Sequence, residues 1–378
     1  MLTTTRRNLL VGSAASALST MPALASTPAA SPVAPLGGVG TCGIKYDLGA
    51  ELSRNELTRP ASHEAFYRDE LTAIRDRLHC QFVDLYGSDP DQLVAGLETA
   101  ANLDFDIHLQ TRLNFLPEDE MNERLAAVAI EAERVRQDGV PIVLDVGCEY
   151  LLFADGLIDG DDFFEKVASL SASDLDWNDI ILRFTAMLNG LAETARVHFG
   201  GPISYSDTPD MTFTWEPFDI VGIDHYLSAE TRATYVDTID MLAASGKPVW
   251  VKEFGGTPSR GAPAEGGMAW DVVDYSVDPP EIINGVIRDE DQQARLIIES
   301  LEFIERSQAE RAYLYEFITT GSPRSNDPRY DYDLTGYGIV STWGEDHDHP
   351  YETTGFWEPK VAFGRVAEWN LSRMKAMR

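Results

Sequence analysis

Short apolar runs of strand length recur along this chain, separated by stretches whose apolar residues return every third or fourth position. That alternation predicts strands followed by amphipathic helices, the pattern of a parallel α/β fold. Eight runs read as strands: Thr41 to Tyr46, Gln81 to Tyr86, Phe105 to Arg112, Pro141 to Glu149, Pro202 to Ser206, Asp219 to Tyr226, Pro248 to Phe254 and Arg311 to Phe317. Helices are predicted from Ser62 to Cys80, Pro117 to Gln137, Asp176 to His198, Arg288 to Ser307 and Pro359 to Met377. Phe66, Leu71, Ile74 and Leu78 share one face of the first, and Ile180, Ile181, Phe184, Leu188 and Leu191 share one face of the third. The second opens on Pro-Glu-Asp-Glu, a charged first turn that suits the helix dipole. Eight strand–helix units over this length fit a closed (β/α)8 TIM barrel better than an open sheet. One domain, residues 39–378, accounts for all of them.

Three connections are long: Glu149 to Asp176, Gly255 to Asp289 and Thr319 to Pro359. They follow the fourth, seventh and eighth strands, and in a barrel such loops gather at the face that holds the active site. They carry Trp270, Trp343 and Trp357. Each is a candidate stacking platform for an apolar sugar face, or an anchor of its loop to the barrel.

The first residues do not follow this pattern. Thr3-Thr4-Thr5-Arg6-Arg7-Asn8-Leu9-Leu10 is a twin-arginine start, followed by small apolar residues and Ala23-Leu24-Ala25. We read residues 1–25 as an export signal that engages the twin-arginine machinery, and residues 26–38 as a flexible spacer. The expected location is extracellular or on the cell surface. The early apolar stretch is short and rich in small residues, and nothing later reads as a membrane span.

Asp and Glu number 62 against 30 Lys and Arg, a net charge of -32. Such a chain repels nucleic acid and anionic lipid. A solvated surface accounts for it, and a high-salt habitat is the sharper expectation, because salt screens self-repulsion. Cys42, Cys80 and Cys148 are an odd count without regular spacing. They form no disulfide framework and no zinc motif, so buried thiols are expected.

Two runs end on a carboxylate. V-L-D-V-G-C-E delivers Glu149 at the end of the fourth strand, and P-V-W-V-K-E-F-G delivers Glu253 at the end of the seventh. Two carboxylates at the mouth of one barrel are what hydrolysis of a glycosidic bond requires. Strict alternation places Val249 and Val251 toward the lumen with Glu253, and Trp250 and Lys252 toward the helices. His108, Gln110 and Arg112 share one phase, a polar stripe that fits a wet upper lumen with Arg112 near the carboxylates. Arg112 is therefore a candidate for keeping Glu253 ionised. His225 is a candidate for binding a sugar hydroxyl, or a structural hydrogen-bond partner. Glu316, ending the eighth strand, is a candidate sugar contact or a salt-bridge residue.

With G-C-E at Glu149, G-I-D-H-Y at His225 and Tyr226, and K-E-F-G at Glu253, the chain resembles the clan A glycoside hydrolases. The resemblance spans about residues 38 to 370 by order of elements. It implies a (β/α)8 barrel, Glu149 as acid/base, Glu253 as nucleophile, and Tyr226 as hydrogen-bond donor to Glu253. The family usually has Asn directly before the acid/base, where it helps hold the sugar 2-hydroxyl; this chain has Cys148 there. The segment R-D-E-D-Q-Q-A with the late W-E-P-K also resembles a poorly characterised prokaryotic group sometimes labelled abortive infection proteins. A phage-defence role finds no support in the residues.

The mechanism implied is retaining hydrolysis of a carbohydrate, with Glu149 in the less polar surroundings and Glu253 beside hydrogen-bond donors. It needs no cofactor and no metal. One rival is a metal-dependent barrel hydrolase or isomerase, with Asp47, Glu149, His225 and Glu253 as an oxygen-rich cage for Mg²⁺ or Mn²⁺. Asp346-His347-Asp348-His349 is a possible surface metal site, or simply a solvated acidic loop. The other rival is a carbohydrate-binding barrel without catalysis.

Overall fold

Eight parallel strands close on themselves in the computed structural model, which describes residues 40–170, 175–211 and 213–376. They are β1 (Gly43–Asp47), β2 (Phe82–Gly87), β3 (Asp106–Thr111), β4 (Ile142–Cys148), β5 (Ile203–Asp207), β6 (Ile220–Asp224), β7 (Val249–Glu253) and β8 (Arg311–Leu314). Each pairs with its sequence neighbours, and β8 pairs back onto β1 through Gly43 with Tyr313 and Ile44 with Leu314. This is a (β/α)8 TIM barrel. The export signal and the spacer read from the sequence lie outside the described residues. No described helix is long and apolar enough to cross a membrane.

Among the described residues, seven helices of nine residues or more form the outer layer: α1 (Glu64–Asp76), α2 (Pro90–Ala101), α3 (Glu118–Gln137), α4 (Trp177–His198), α5 (Tyr235–Ala243), α6 (Glu290–Glu305) and α7 (Val361–Ala376). The five predicted from periodicity are all present. α2 and α5 are additional, and α2 carries a clear start signal: Pro90 opens it, and the Asp89 side chain accepts hydrogen bonds from the amides of Asp91 and Gln92. The expected eighth strand–helix unit is not complete. Between β5 and β6 no described residue is helical; Phe213, Trp215 and Phe218 pack on Tyr205 instead.

The outward faces of the strands and the inner faces of the helices form one continuous apolar core. The lumen is different. Its floor is a small apolar layer of Phe82, Val143, Ile220, Trp250 and Tyr313. Above it the lumen is polar, and the groups of its lower part are cross-linked. Lys252 Nζ lies 2.7 Å from Asp84 Oδ2. His108 bonds Asp84 at 3.0 Å and Ser204 at 2.9 Å. Gln110 and Ser206 donate to Asp145 at 3.0 and 2.7 Å. Buried charges are tolerable when paired in this way.

Two sequence expectations need correction here. Trp250 and Lys252 face the lumen, while Val249 and Val251 belong to the core beneath the helices. Glu253 reaches the lumen as well because the β6–β7 register shifts between Ile223 and Asp224, so that Asp224 pairs with Glu253. A bulge breaks strict alternation, and alternation was the basis of the expectation. His108 and Gln110 are fully buried and cross-linked, so their part of the stripe is polar core rather than wet surface.

The long loops meet above the C-terminal ends of the strands. Phe163 and Phe164, after β4, pack edge-on against Trp270, after β7. Arg288, before α6, pairs with Asp331 and Asp333 in the loop after β8. Cys42, Cys80 and Cys148 are all buried free thiols.

Candidate active site

Glu253 ends β7 and is the most heavily bonded carboxylate of the upper lumen. Lys45 Nζ, projecting from β1, donates to its Oε1 at 2.8 Å. Arg112 Nη2, just past β3, donates to the same oxygen. Tyr226 OH, just past β6, donates to Oε2 at 2.9 Å. Burial alone would raise this carboxyl, but Lys45, Arg112 and the hydrogen bonds of Lys45 and Tyr226 outweigh it and hold it below the ordinary carboxylate value.

Glu149 follows β4 directly, and its environment is the opposite. Among the described residues no side chain bonds its carboxyl. Burial, then the Glu253 carboxylate, then Asp207 push it up to about 8, against weaker opposition from Arg112 and Lys45. Its backbone is left-handed, with φ 49° and ψ 37°. That turn is fixed on both sides. The Glu149 amide donates to the Ser206 carbonyl at 3.0 Å. The Tyr150 ring packs over Gly147, where a Cβ would lie 2.0 Å from ring carbon Cε2. The Tyr150 hydroxyl donates to the Thr111 carbonyl at 3.0 Å.

A ring of further carboxyls surrounds the pair. Asp207 ends β5, accepts from Tyr205 OH at 2.8 Å, and is raised to about 8, chiefly by burial. Glu316 accepts from Tyr86 OH and from Thr319 Oγ1 and is likewise raised to about 8 by burial and by Asp47. Asp224 ends β6; burial and the Glu253 carboxylate hold it well above the ordinary value. The Cys148 Sγ donates to Asp224 Oδ2 at 3.1 Å and lies 3.9 Å from Glu253 Oε1.

Of the residues singled out in the sequence, Glu149, Glu253, Tyr226 and Arg112 come together, and Glu316 stands at the edge of the same cluster. His225 does not join them through its hydrogen bond. Its ring stacks on Tyr235 with centroids 4.0 Å apart, and Nε2 bonds the Tyr235 carbonyl at 3.3 Å. Trp343 is held by Glu358 at 2.7 Å and stacks on His347 at 4.4 Å, contacts that tie its own loop. Trp357 packs on Phe317 and Phe363 outside the lumen. Trp270 is the tryptophan that packs in the cluster containing Tyr226. Lys45, Asp207 and Asp224 were missed. Asp207 and Asp224 each end a strand, which is the signal that selected Glu149 and Glu253, whereas Lys45 lies mid-strand in β1 and carries no such signal.

The cage proposed for a hard cation from Asp47, Glu149, His225 and Glu253 is not assembled. Among the described residues the ligand types that converge are Cys148, Asp224 and Glu253, with atoms all within 4.8 Å of one another. In the Asp346–His349 loop, His347 stacks on Trp343, and Asp346 accepts from Ser325 Oγ at 2.9 Å.

No protein-family profile matches the chain, and no curated protein matches it. Solved structures do. A GH113 β-1,4-mannanase is 13% identical over 89% of this chain and 100% of that one, with a TM-score of 0.56. The GH113 β-mannanase from Alicyclobacillus acidocaldarius, in complex with ManMIm, is 14% identical over 89% of this chain and 98% of that one, with a TM-score of 0.55. A calcium-binding mutant of Bacteroides uniformis β-glucuronidase 2 is 11% identical over 80% of this chain and 33% of that one, with a TM-score of 0.51. Identity this low speaks for the fold alone, the barrel shared with glycoside hydrolases. The resemblance to abortive infection proteins gains no support from these matches.

Proposed function

We propose that this barrel is a retaining glycosidase in which Glu149 is the acid/base and Glu253 the nucleophile. The observation that carries the reading is the opposite displacement of two neighbouring carboxyls: Glu149 is pushed up to about 8 while Glu253 is held below its ordinary value. That split gives one proton donor and one anion within a single cluster of side chains at neutral pH. Glu253 attacks the anomeric carbon as the bond to the leaving oxygen breaks, and Glu149 gives that oxygen its proton. Glu149 then takes a proton from water, whose oxygen displaces Glu253 from the sugar. Tyr226 and Arg112 hold the nucleophile in place, and Lys45 adds a second positive charge at Oε1.

The substrate class is carbohydrate. The neighbouring folds recommend β-1,4-mannan and aryl β-glycosides as the first substrates to try. The twin-arginine start supports action outside the cytoplasm.

The decisive comparison sets wild type beside Glu253→Gln on such a panel. The variant should lose about 10³-fold or more in turnover. Wild-type turnover should survive EDTA. Equal traces of product from the two proteins would end the reading, and loss of activity in EDTA would favour a metal enzyme.

A further inference from the structure

Lys45 is a fully buried cation that the lower lumen does not need. Its neighbour Asp84 already has Lys252 Nζ at 2.7 Å and lies 3.6 Å from Lys45 Nζ. The shorter contact of Lys45, 2.8 Å, goes to Glu253 Oε1. We infer that Lys45 is a positioning residue for the second step of the proposed hydrolysis: with Arg112 it fixes Glu253 Oε1 as the oxygen that becomes the ester carbonyl, leaves Oε2 to bond the sugar, and stabilises the charge that returns to the carboxylate when the glycosyl-enzyme breaks. The inference rests on the glycosidase reading and adds to it which oxygen reacts and which step Lys45 serves.

Lone pairs assign the oxygens. Each oxygen of an ionised carboxylate has two lone-pair sites. Oε1 accepts from Lys45 and from Arg112, so both of its sites are taken, and Cys148 Sγ lies on the same oxygen's side at 3.9 Å. Among the described residues, Oε2 accepts from Tyr226 alone, at 2.9 Å, and keeps one site free. The free pair is the one that can form a bond to the anomeric carbon. Oε1 then becomes the carbonyl oxygen without leaving its two cations.

Charge runs in opposite directions in the two steps. In the first, Oε2 gives an electron pair to the anomeric carbon and Glu253 loses its negative charge, which the cations at Oε1 resist. In the second, the water oxygen bonds the anomeric carbon and Glu149 takes the water's proton. The bond from that carbon to Oε2 breaks, and its electron pair returns to the carboxylate. Lys45 and Arg112 are already in place for that charge, as preorganised donors in a buried site must be. Lys45 is itself kept protonated. Burial opposes its charge, but Glu253 and then Asp84 outweigh burial and hold it above the ordinary lysine value. Removing Lys45 should therefore slow breakdown of the ester and spare its formation. The neighbours tolerate the loss: Asp84 keeps Lys252, Gln110 Oε1 keeps Arg112 Nε at 3.0 Å, and Glu253 keeps Arg112 and Tyr226.

The test treats wild type, Lys45→Met and Lys45→Gln with 2-deoxy-2-fluoro-β-D-mannosyl fluoride and with its glucosyl analogue. Peptide mass spectrometry locates the label, and recovery of activity is followed after the reagent is removed. Wild type should be labelled at Glu253. Lys45→Met should be labelled about as fast and should recover about 10²-fold more slowly. With the matching aryl glycoside it should release a burst of the aryl alcohol, and kcat and KM should fall together. The acid limb of its kcat/KM profile should move to higher pH, because Glu253 has lost a cation. Lys45→Gln should recover as slowly as Lys45→Met, since a neutral donor does not replace the charge. Recovery of Lys45→Gln at the wild-type rate would reduce the role to a hydrogen bond and overturn the charge assignment. A Lys45→Met protein that recovers like wild type, or that loses labelling and recovery in equal proportion, overturns the inference and leaves the glycosidase reading standing. A wild type that takes no label at Glu253 from either reagent removes the reading and the inference together.

Discussion

Glu149 carries two costs at once. A left-handed backbone at a non-glycine residue costs about 1–2 kcal/mol, and its half-buried carboxyl lies close enough to the Glu253 carboxylate to feel its charge. Glu149→Gly should therefore raise stability by about 1 kcal/mol in urea unfolding, after the entropy of glycine is set against the relief, while turnover disappears. The same residue fixes the pH dependence. Glu149 must hold a proton to donate it, so kcat/KM should fall as pH rises through about 8. Glu253 must be ionised, and its lowered value places the acid limb below the ordinary 4.5. A pH–rate profile whose alkaline limb lies at the ordinary carboxylate value of 4.5 would remove Glu149 as the acid. Stability follows the opposite rule from a salt-bridged carboxylate. Glu149, Asp207 and Glu316 bind protons more tightly folded than unfolded, each being raised to about 8. Their contribution is complete below their unfolded values and is lost as pH rises through about 8. The Tm should fall across that window, less steeply in Glu149→Gln.

At the scale of elements, the end of β4 is the critical joint. Gly147 lets the Tyr150 ring lie against the strand, and Tyr150 in turn pins the Thr111 carbonyl and the Leu113 amide. Gly147→Ala would drive a Cβ to 2.0 Å from that ring, so Tyr150 must move and Glu149 with it. The expected cost is about 1–3 kcal/mol of stability and about 10²-fold in kcat, with substrate binding less affected. Unchanged turnover would show that the Glu149 turn is held by other contacts. The elements themselves were largely legible. All eight strands and five helices follow from apolar runs and periodicity, because most of them bury one face against a single continuous core. α2 was legible too, through Asp89-Pro90, and was overlooked. The β5–β6 connection was not legible, since Phe213, Trp215 and Phe218 fill by loop packing the place a helix takes elsewhere.

For the molecule as a whole, the net charge of -32 sets the response to solvent. Self-repulsion on this scale opposes the compact state, and the Debye length shrinks to ~3 Å at 1 M salt. Thermal unfolding should shift upward as KCl is raised toward molar concentrations, and a flat response would dismiss the high-salt expectation. The buried lumen pairs, such as Lys252 with Asp84, are shielded from salt and should not share in this dependence.

The sequence by itself determined the barrel and delivered Glu149 and Glu253 to the ends of the fourth and seventh strands. Both follow from local rules: apolar periodicity decides what is strand or helix, and strand order decides where a barrel's loops gather. Only the tertiary structure decided which side chains enter the lumen and whom they meet there. The bulge at Asp224 and Glu253 overrides alternation, Trp250 and Lys252 turn inward, and Lys45 crosses from β1 to reach Glu253. Those contacts join residues as much as 208 positions apart in the chain, and a carboxyl's proton affinity is set by what lies beside it in space.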